Sequence, residues 1–238
     1  MAFKLLSTGN PKTLKGVKQG VMTYILHLAP AELSGKNTCP KSTPGCRAAC
    51  LNTAGRGGMY KAGETTNIIQ KARIRKTVEF FFYREKFMAD LVIDIERAIK
   101  QAVKKGFIPA FRLNGTSDLA WEKYAVNGAE NIFALFPTVQ FYDYTKVIGR
   151  KVDHISNYHL TFSQADGNES DVLKAIEAGM NVTVVFDKTP SQYLGREVFD
   201  GDDSDLRFLD PSDVIVGLKA KGKAKKDTSG FVIRLQPV

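Results

Sequence analysis

Three cysteines, Cys39, Cys46 and Cys50, fall within twelve residues as C-x6-C-x3-C, in a segment that Pro40, Pro44 and Gly45 must bend sharply. A helix beginning after Gly45 would set Cys46 and Cys50 one turn apart on one face, and its N-terminus would favour thiolate over thiol. Both thiols could then point at one metal. Three soft sulfur donors suit an iron–sulfur cluster or zinc and argue against magnesium or calcium. Zinc would want a fourth ligand, for which His27, His154 and His159 are the histidines available, whereas a cubane on three thiolates leaves one iron open. Buried or redox-active thiols without a metal are the third reading. An odd number of cysteines so closely spaced makes a poor disulfide framework, so reduced thiols and a cytoplasmic setting are expected.

Other residues with chemical capacity surround this loop in the sequence. His27 closes an apolar run just before it. Arg56 sits in a glycine-rich turn, residues 52–58, whose backbone N–H groups could approach an anion or cluster sulfides. Further on, each apolar run is followed by polar side chains: Asn114 with Ser117 and Asp118, then Asp143 with Tyr144 and Lys146, then Ser163 with Gln164, then Asp187 with Lys188, then Lys219. In a parallel α/β fold these share the carboxyl edge of the strands, where ligands bind. Asp118, Asp143 and Lys146 are the catalytic candidates, either aspartate serving as general base. His27, Arg56, Arg112, Asn114 and Ser163 are candidates to bind a small-molecule ligand.

The elements that must position these residues follow from periodicity. Residues 22–28 read as a buried strand. From 65 to 105 the pattern is helical, with Phe87, Leu91, Ile95, Ile99 and Ala102 on one face, and its length predicts two helices broken near Tyr83, Arg84 and Glu85. Short apolar runs at 107–113, 139–142, 158–162, 182–186 and 214–218 predict strands. Helix-like stretches at 118–126, 129–135 and 169–178, the last closed by Gly179, separate several of them. Strands alternating with helices indicate a parallel sheet. The expected architecture is one α/β domain over residues 1–238, a partial or irregular TIM-like (β/α) barrel. It would comprise a cysteine loop at 29–60, a long helical pair at 64–105 and a β/α core at 106–238. The lysine-rich stretch 219–226 reads as an exposed loop of a hairpin joining 214–218 to 231–235.

With 43% hydrophobic and 25% charged residues among 238, the chain can bury a core and lacks an apolar run long enough to span a bilayer. No membrane association is expected. Residues 1–6 lack the apolar stretch and cleavage site of a secretion signal. A formal charge of +9 permits contact with a polyanion or a host protein through a basic surface.

Taken in order, LSGKNTC at 33–39, GCRAAC at 45–50, GRG at 55–57, RLNGTSD at 112–118, QFYDYTK at 140–146 and YHLTFS at 158–163 resemble the bacteriophage gene product eighty-eight family. They are also similar to iron–sulfur proteins of marine phages. The resemblance implies a phage-encoded protein of the host cytoplasm, with a barrel-like fold and a [4Fe–4S] cluster on Cys39, Cys46 and Cys50. A more distant similarity is to radical S-adenosylmethionine enzymes, whose C-x3-C-x2-C spacing is absent and whose Gly-Gly-Glu motif is replaced by RLNGTSD. Three functions are therefore expected in competition. The first is an enzyme or redox protein with an open iron facing a polar pocket. The second is a diverged S-adenosylmethionine enzyme. The third is a nucleic-acid or host-protein binding module with a structural metal.

Overall fold

The computed structural model describes residues 4–8 and 11–235. Its centre is a run of parallel strands: β2 (Val21–Leu26), β3 (Ile108–Arg112), β4 (Gln140–Thr145), β5 (Tyr158–Ser163) and β6 (Val182–Phe186). The run continues in parallel through β9 (Ile215–Lys219) to β8 (Arg196–Asp200). Short antiparallel strands finish the two ends, β1 (Leu6–Ser7) on β2 and β7 (Gln192–Tyr193) on β8. The result is a ten-stranded sheet in a mixed α/β chain, and among the described residues its path is open, since β1 and β7 do not pair. Closure into a full barrel is not formed by these pairings.

Two of the expectations are corrected here. The strand after the lysine-rich stretch, β10 (Val232–Ile233), does not form a hairpin with β9. Both pair in parallel with β6, and the lysines occupy a 3-10 turn, Gly222–Lys226, whose Ala224 is buried against Val232 and Ala49. Residues 118–126 are not a helix beyond one 3-10 turn, Trp121–Lys123. The Asn114 side chain holds this stretch in place, its Oδ1 accepting from the Leu119 N–H at 2.9 Å and the Trp121 indole at 3.1 Å.

The two sheet faces differ in chemistry. On one, Tyr24, Leu26, Phe111, Phe141 and Leu160 form a core with the helical pair α3 (Ile68–Phe82) and α4 (Arg84–Lys104). The pair breaks at Tyr83, which caps both helices with φ −134° and ψ 50°. Further along the same face, Phe162, Val182, Val184 and Phe186 pack on Val172 and Ala175 of α6 (Glu169–Glu177), which Gly179 ends at φ +74°. Alternate residues point the other way. There the cover is the 205–209 segment, and the buried side chains include Thr23, Arg112, Tyr142, Thr161 and Thr183. Strands buried on both faces are what parallel sheets require.

Asp143 of β4 stabilises the turn that follows β3. It is fully buried, and its carboxylate accepts from the Asn114 N–H at 2.9 Å, the Leu113 N–H at 3.3 Å and the Tyr158 hydroxyl at 3.3 Å. Burial pushes its carboxyl up to about 7, against the nearby Arg112 guanidinium and the Asn114 N–H, which pull it down. A carboxyl raised in the folded state keeps its proton where the unfolded chain has lost it. Its stabilising share is therefore full in acid and is lost as pH climbs from about 4 through about 7. Asp143→Ala leaves buried donors unsatisfied and should lower urea-unfolding stability by about 2–4 kcal/mol in mildly acid solution. The variant's stability profile should also lack the decline across that pH interval.

Candidate metal centre

The chain leaves β2 at its carboxyl edge through His27, Leu28 and Ala29, and hydrogen bonds from the β3 side hold it there. The Gly115 N–H donates to the Leu26 carbonyl at 3.0 Å and the Thr116 hydroxyl to the Leu28 carbonyl at 2.5 Å. Gly115 must lack a side chain, because a Cβ there would lie 2.4 Å from Ile25 and 2.8 Å from the Leu26 carbonyl. Thr38 then pins the returning loop, donating from its hydroxyl to the Ala29 carbonyl at 2.6 Å and accepting at its carbonyl from the Asp118 N–H at 2.8 Å. Cys39 is thereby fixed between the ends of β2 and β3. Ala31, at φ +44°, holds a left-handed conformation inside this turn, a local cost of about 1–2 kcal/mol that the surrounding bonds sustain.

Cys46 has a separate anchor on β5. Asp166, three residues beyond that strand, receives the Thr43 hydroxyl and the Cys46 N–H (3.2 Å) on one oxygen and the Gly45 N–H (3.0 Å) on the other. Thr43 caps the short helix α2 (Pro44–Ala48) by accepting from the Cys46 N–H at 3.1 Å. A Cβ on Gly45 would come within 2.6 Å of Asp166 and 2.0 Å of Ser229, so only glycine lets the carboxylate reach these amides.

Cys50 lies outside α2, contrary to the expected helical i, i+4 pair with Cys46. Its ψ of 134° turns the chain into a 3-10 turn, Leu51–Thr53. The glycine-rich segment packs so closely beneath that a Cβ at Gly57 or Gly58 would meet the Asn52 or Thr53 carbonyl at 2.5 or 2.2 Å, which leaves no room for a continued helix. The Cys50 sulfur accepts from the Asn52 N–H at 3.4 Å, and Arg73 of α3 holds Asn52 with bonds of 2.6 and 3.2 Å.

All three cysteines are free and half-buried. Burial raises the Cys39 thiol, and neighbouring Asp118 and Cys46 raise it further against the Ala31 amide and Thr38 hydroxyl. Cys50 is raised likewise, with Cys46 and Cys39 adding to burial while the Asn52 N–H and Arg73 oppose it. Each sulfur therefore lies within the field of the others, and binding a metal would displace protons. Among the described residues, no group of three or more His, Cys, Asp or Glu side chains is arranged to hold a metal ion. A single zinc needs its sulfurs drawn in to about 2.3 Å. A cubane, several atoms across, takes thiolates at separate corners.

The histidines divide. His154 is exposed, and His159 lies on the opposite sheet face within the field of Arg207. His27 contacts the Ser7 hydroxyl through Nδ1 at 3.2 Å and is pushed down to about 3 by burial and then by Arg73, Arg112 and Lys76, so its ring stays neutral at ordinary pH. Asp118 accepts from the Lys146 N–H at 2.8 Å, lies 3.7 Å from Arg150, and is raised mainly by burial. Lys146 reaches the Ser163 hydroxyl at 3.1 Å, and Arg112 is paired with Asp205 at 2.8 Å. Asn114 and Asp143 spend their polar atoms on the loop after β3. Arg56 is exposed, and the guanidinium beside the cysteines is that of Arg73, which the sequence reading missed along with Asp166. Neither carries a local motif that would have revealed it.

A family model described as gene product 88 matches residues 4–235. Neither a curated protein nor a solved structure matches the chain. The similarities to iron–sulfur proteins and to radical S-adenosylmethionine enzymes gain no support from these matches. Among the described residues, no helix is long and apolar enough to cross a membrane.

Asp166→Ala removes the acceptor for three donors at the Cys46 anchor. It should cost about 1–3 kcal/mol in thermal or chemical unfolding. Asp166→Asn, which keeps an acceptor, should recover part of the loss.

Proposed function

The chain belongs to the gene product 88 family, and on that premise we propose that it carries a [4Fe–4S] cluster on Cys39, Cys46 and Cys50. One iron is left open toward the polar strand ends, and the protein acts as an enzyme or redox protein on a small ligand. The observation that carries this reading is the anchoring of three reduced, half-buried thiols to three separate parts of the fold: the β2 and β3 ends, Asp166 after β5, and Arg73 on α3. The Asn52 N–H on the Cys50 sulfur supports it, since amide bonds to sulfur are a lever on cluster potential. The polar, covered inner face of the sheet also supports reading the strands as part of an irregular barrel.

When bound, the cluster supplies Lewis-acid or one-electron chemistry at its open iron. The chain's own groups do the rest. Asp118, next to Cys39 and raised by burial, holds or accepts a proton. Neutral His27 offers a ring nitrogen without adding charge, and Arg73 places a positive charge beside Cys50, within which a negative cluster is stabilised.

Anaerobically purified protein should contain iron and acid-labile sulfide in equal amounts, absorb broadly in the visible, and give a cluster EPR signal on reduction. Cys46→Ser should abolish all three. Colourless protein with stoichiometric zinc and no sulfide would refute the proposal.

A further inference from the structure

The inner face of the sheet carries polar groups that neither the cysteine loop nor the core uses. Strand register places them together. Ser163 of β5 stands opposite Thr183 of β6, and Lys146, the residue after β4, brings its ammonium to the Ser163 hydroxyl at 3.1 Å. Two residues back along β5 on the same face is Thr161, paired in register with Tyr144. The Arg112 guanidinium lies over the Tyr144 ring, 4.9 Å from its centroid.

Three of these side chains are more than nine-tenths buried and hold a polar atom with no partner in the protein: the Thr161 hydroxyl at 0% exposure, the Thr183 hydroxyl at 4% and the Arg112 Nε at 9%. Leaving such groups unpaired is costly, so the arrangement favours a ligand that pairs them. Arg112 is matched by Asp205 and Arg207 by Asp210, while Lys146 meets the Ser163 hydroxyl and lies within the field of Asp118.

We infer that Lys146, Ser163, Thr183 and Thr161, with Arg112 behind them, form a binding site for the oxyanion head of a small carboxylate- or phosphate-bearing ligand. The ammonium and guanidinium supply charge, and the hydroxyls supply short directional donors, the combination that recognises phosphate and carboxylate oxygens. This deepens the cluster reading, since Lys146 and Ser163 stand at the carboxyl ends of β4 and β5, and the site would hold the charged end of the ligand whose other end meets the open iron. It rests on that reading only for its partner, not for its own geometry.

The test is calorimetric titration of the full chain with inorganic phosphate and, separately, with succinate, with iron and sulfide measured on the same samples. One saturable site is expected for at least one probe. Tighter phosphate binding assigns phosphate-bearing ligands, and tighter succinate binding assigns carboxylates. Lys146→Met should weaken binding by about tenfold or more, and Thr183→Val, which keeps the side-chain shape, by about threefold or more. Lys223→Met on the exposed lysine-rich turn should leave it unchanged. Absence of saturable binding with both probes, or equal binding by wild type and the Thr183 variant, overturns the inference. Protein that holds iron and sulfide yet ignores both oxyanions would sink this site and leave the cluster reading intact. Lys146-dependent binding by protein free of iron would do the reverse.

Discussion

The parallel hydrogen-bond ladder from β2 to β6 and on to β9 is the constraint on which everything else depends. Parallel strands cannot be joined by tight turns, so every connection must cross a face, and both faces end up buried. The same geometry gathers the carboxyl ends of all these strands on one edge. A loop leaving β2 can therefore be tied to residues after β3 and after β5, although they are distant in the chain. The cysteine segment uses both ties, through Thr38 with Asp118 and through Thr43 and Gly45 with Asp166.

The two faces of the sheet bury different kinds of side chain. The face under the helices is filled by aliphatic and aromatic side chains, with Phe80 alone making edge or tilted contacts to Phe81, Phe87, Trp121 and Tyr124. That side supplies stability. The opposite face buries the Arg112–Asp205 and Arg207–Asp210 pairs beside tyrosines and threonines. Desolvating such pairs offsets much of their attraction, so well-packed apolar residues would serve stability as well or better.

Much of the frame was legible in the sequence because it is written in local periodicity. The runs at 158–162 and 182–186 are β5 and β6, the break near Tyr83 separates α3 from α4, and Gly179 ends α6. What was not legible depends on contacts far apart in sequence. Asp166 reaches Thr43 across 123 positions and Arg73 reaches Asn52 across 21, and neither residue type at those positions announces its partner. Cys50 was assigned to a helix because spacing alone favours one, while the close packing of Gly57 and Gly58 on residues 52 and 53 decides otherwise. Two parallel short strands flanking β6 look, in sequence, the same as a hairpin. Asp143 read as a candidate base because it follows aromatic β-formers, and its burial under Tyr158 and the Leu113–Asn114 turn became visible only in three dimensions.

The central claim, that three separately anchored thiols hold an iron–sulfur cubane, is tested most directly by anomalous X-ray diffraction at the iron edge from anaerobically grown crystals. The account predicts a compact group of iron peaks bridging Cys39, Cys46 and Cys50, with one iron lacking a cysteine sulfur. A single peak at the zinc edge, or no anomalous signal beside these sulfurs, would contradict it.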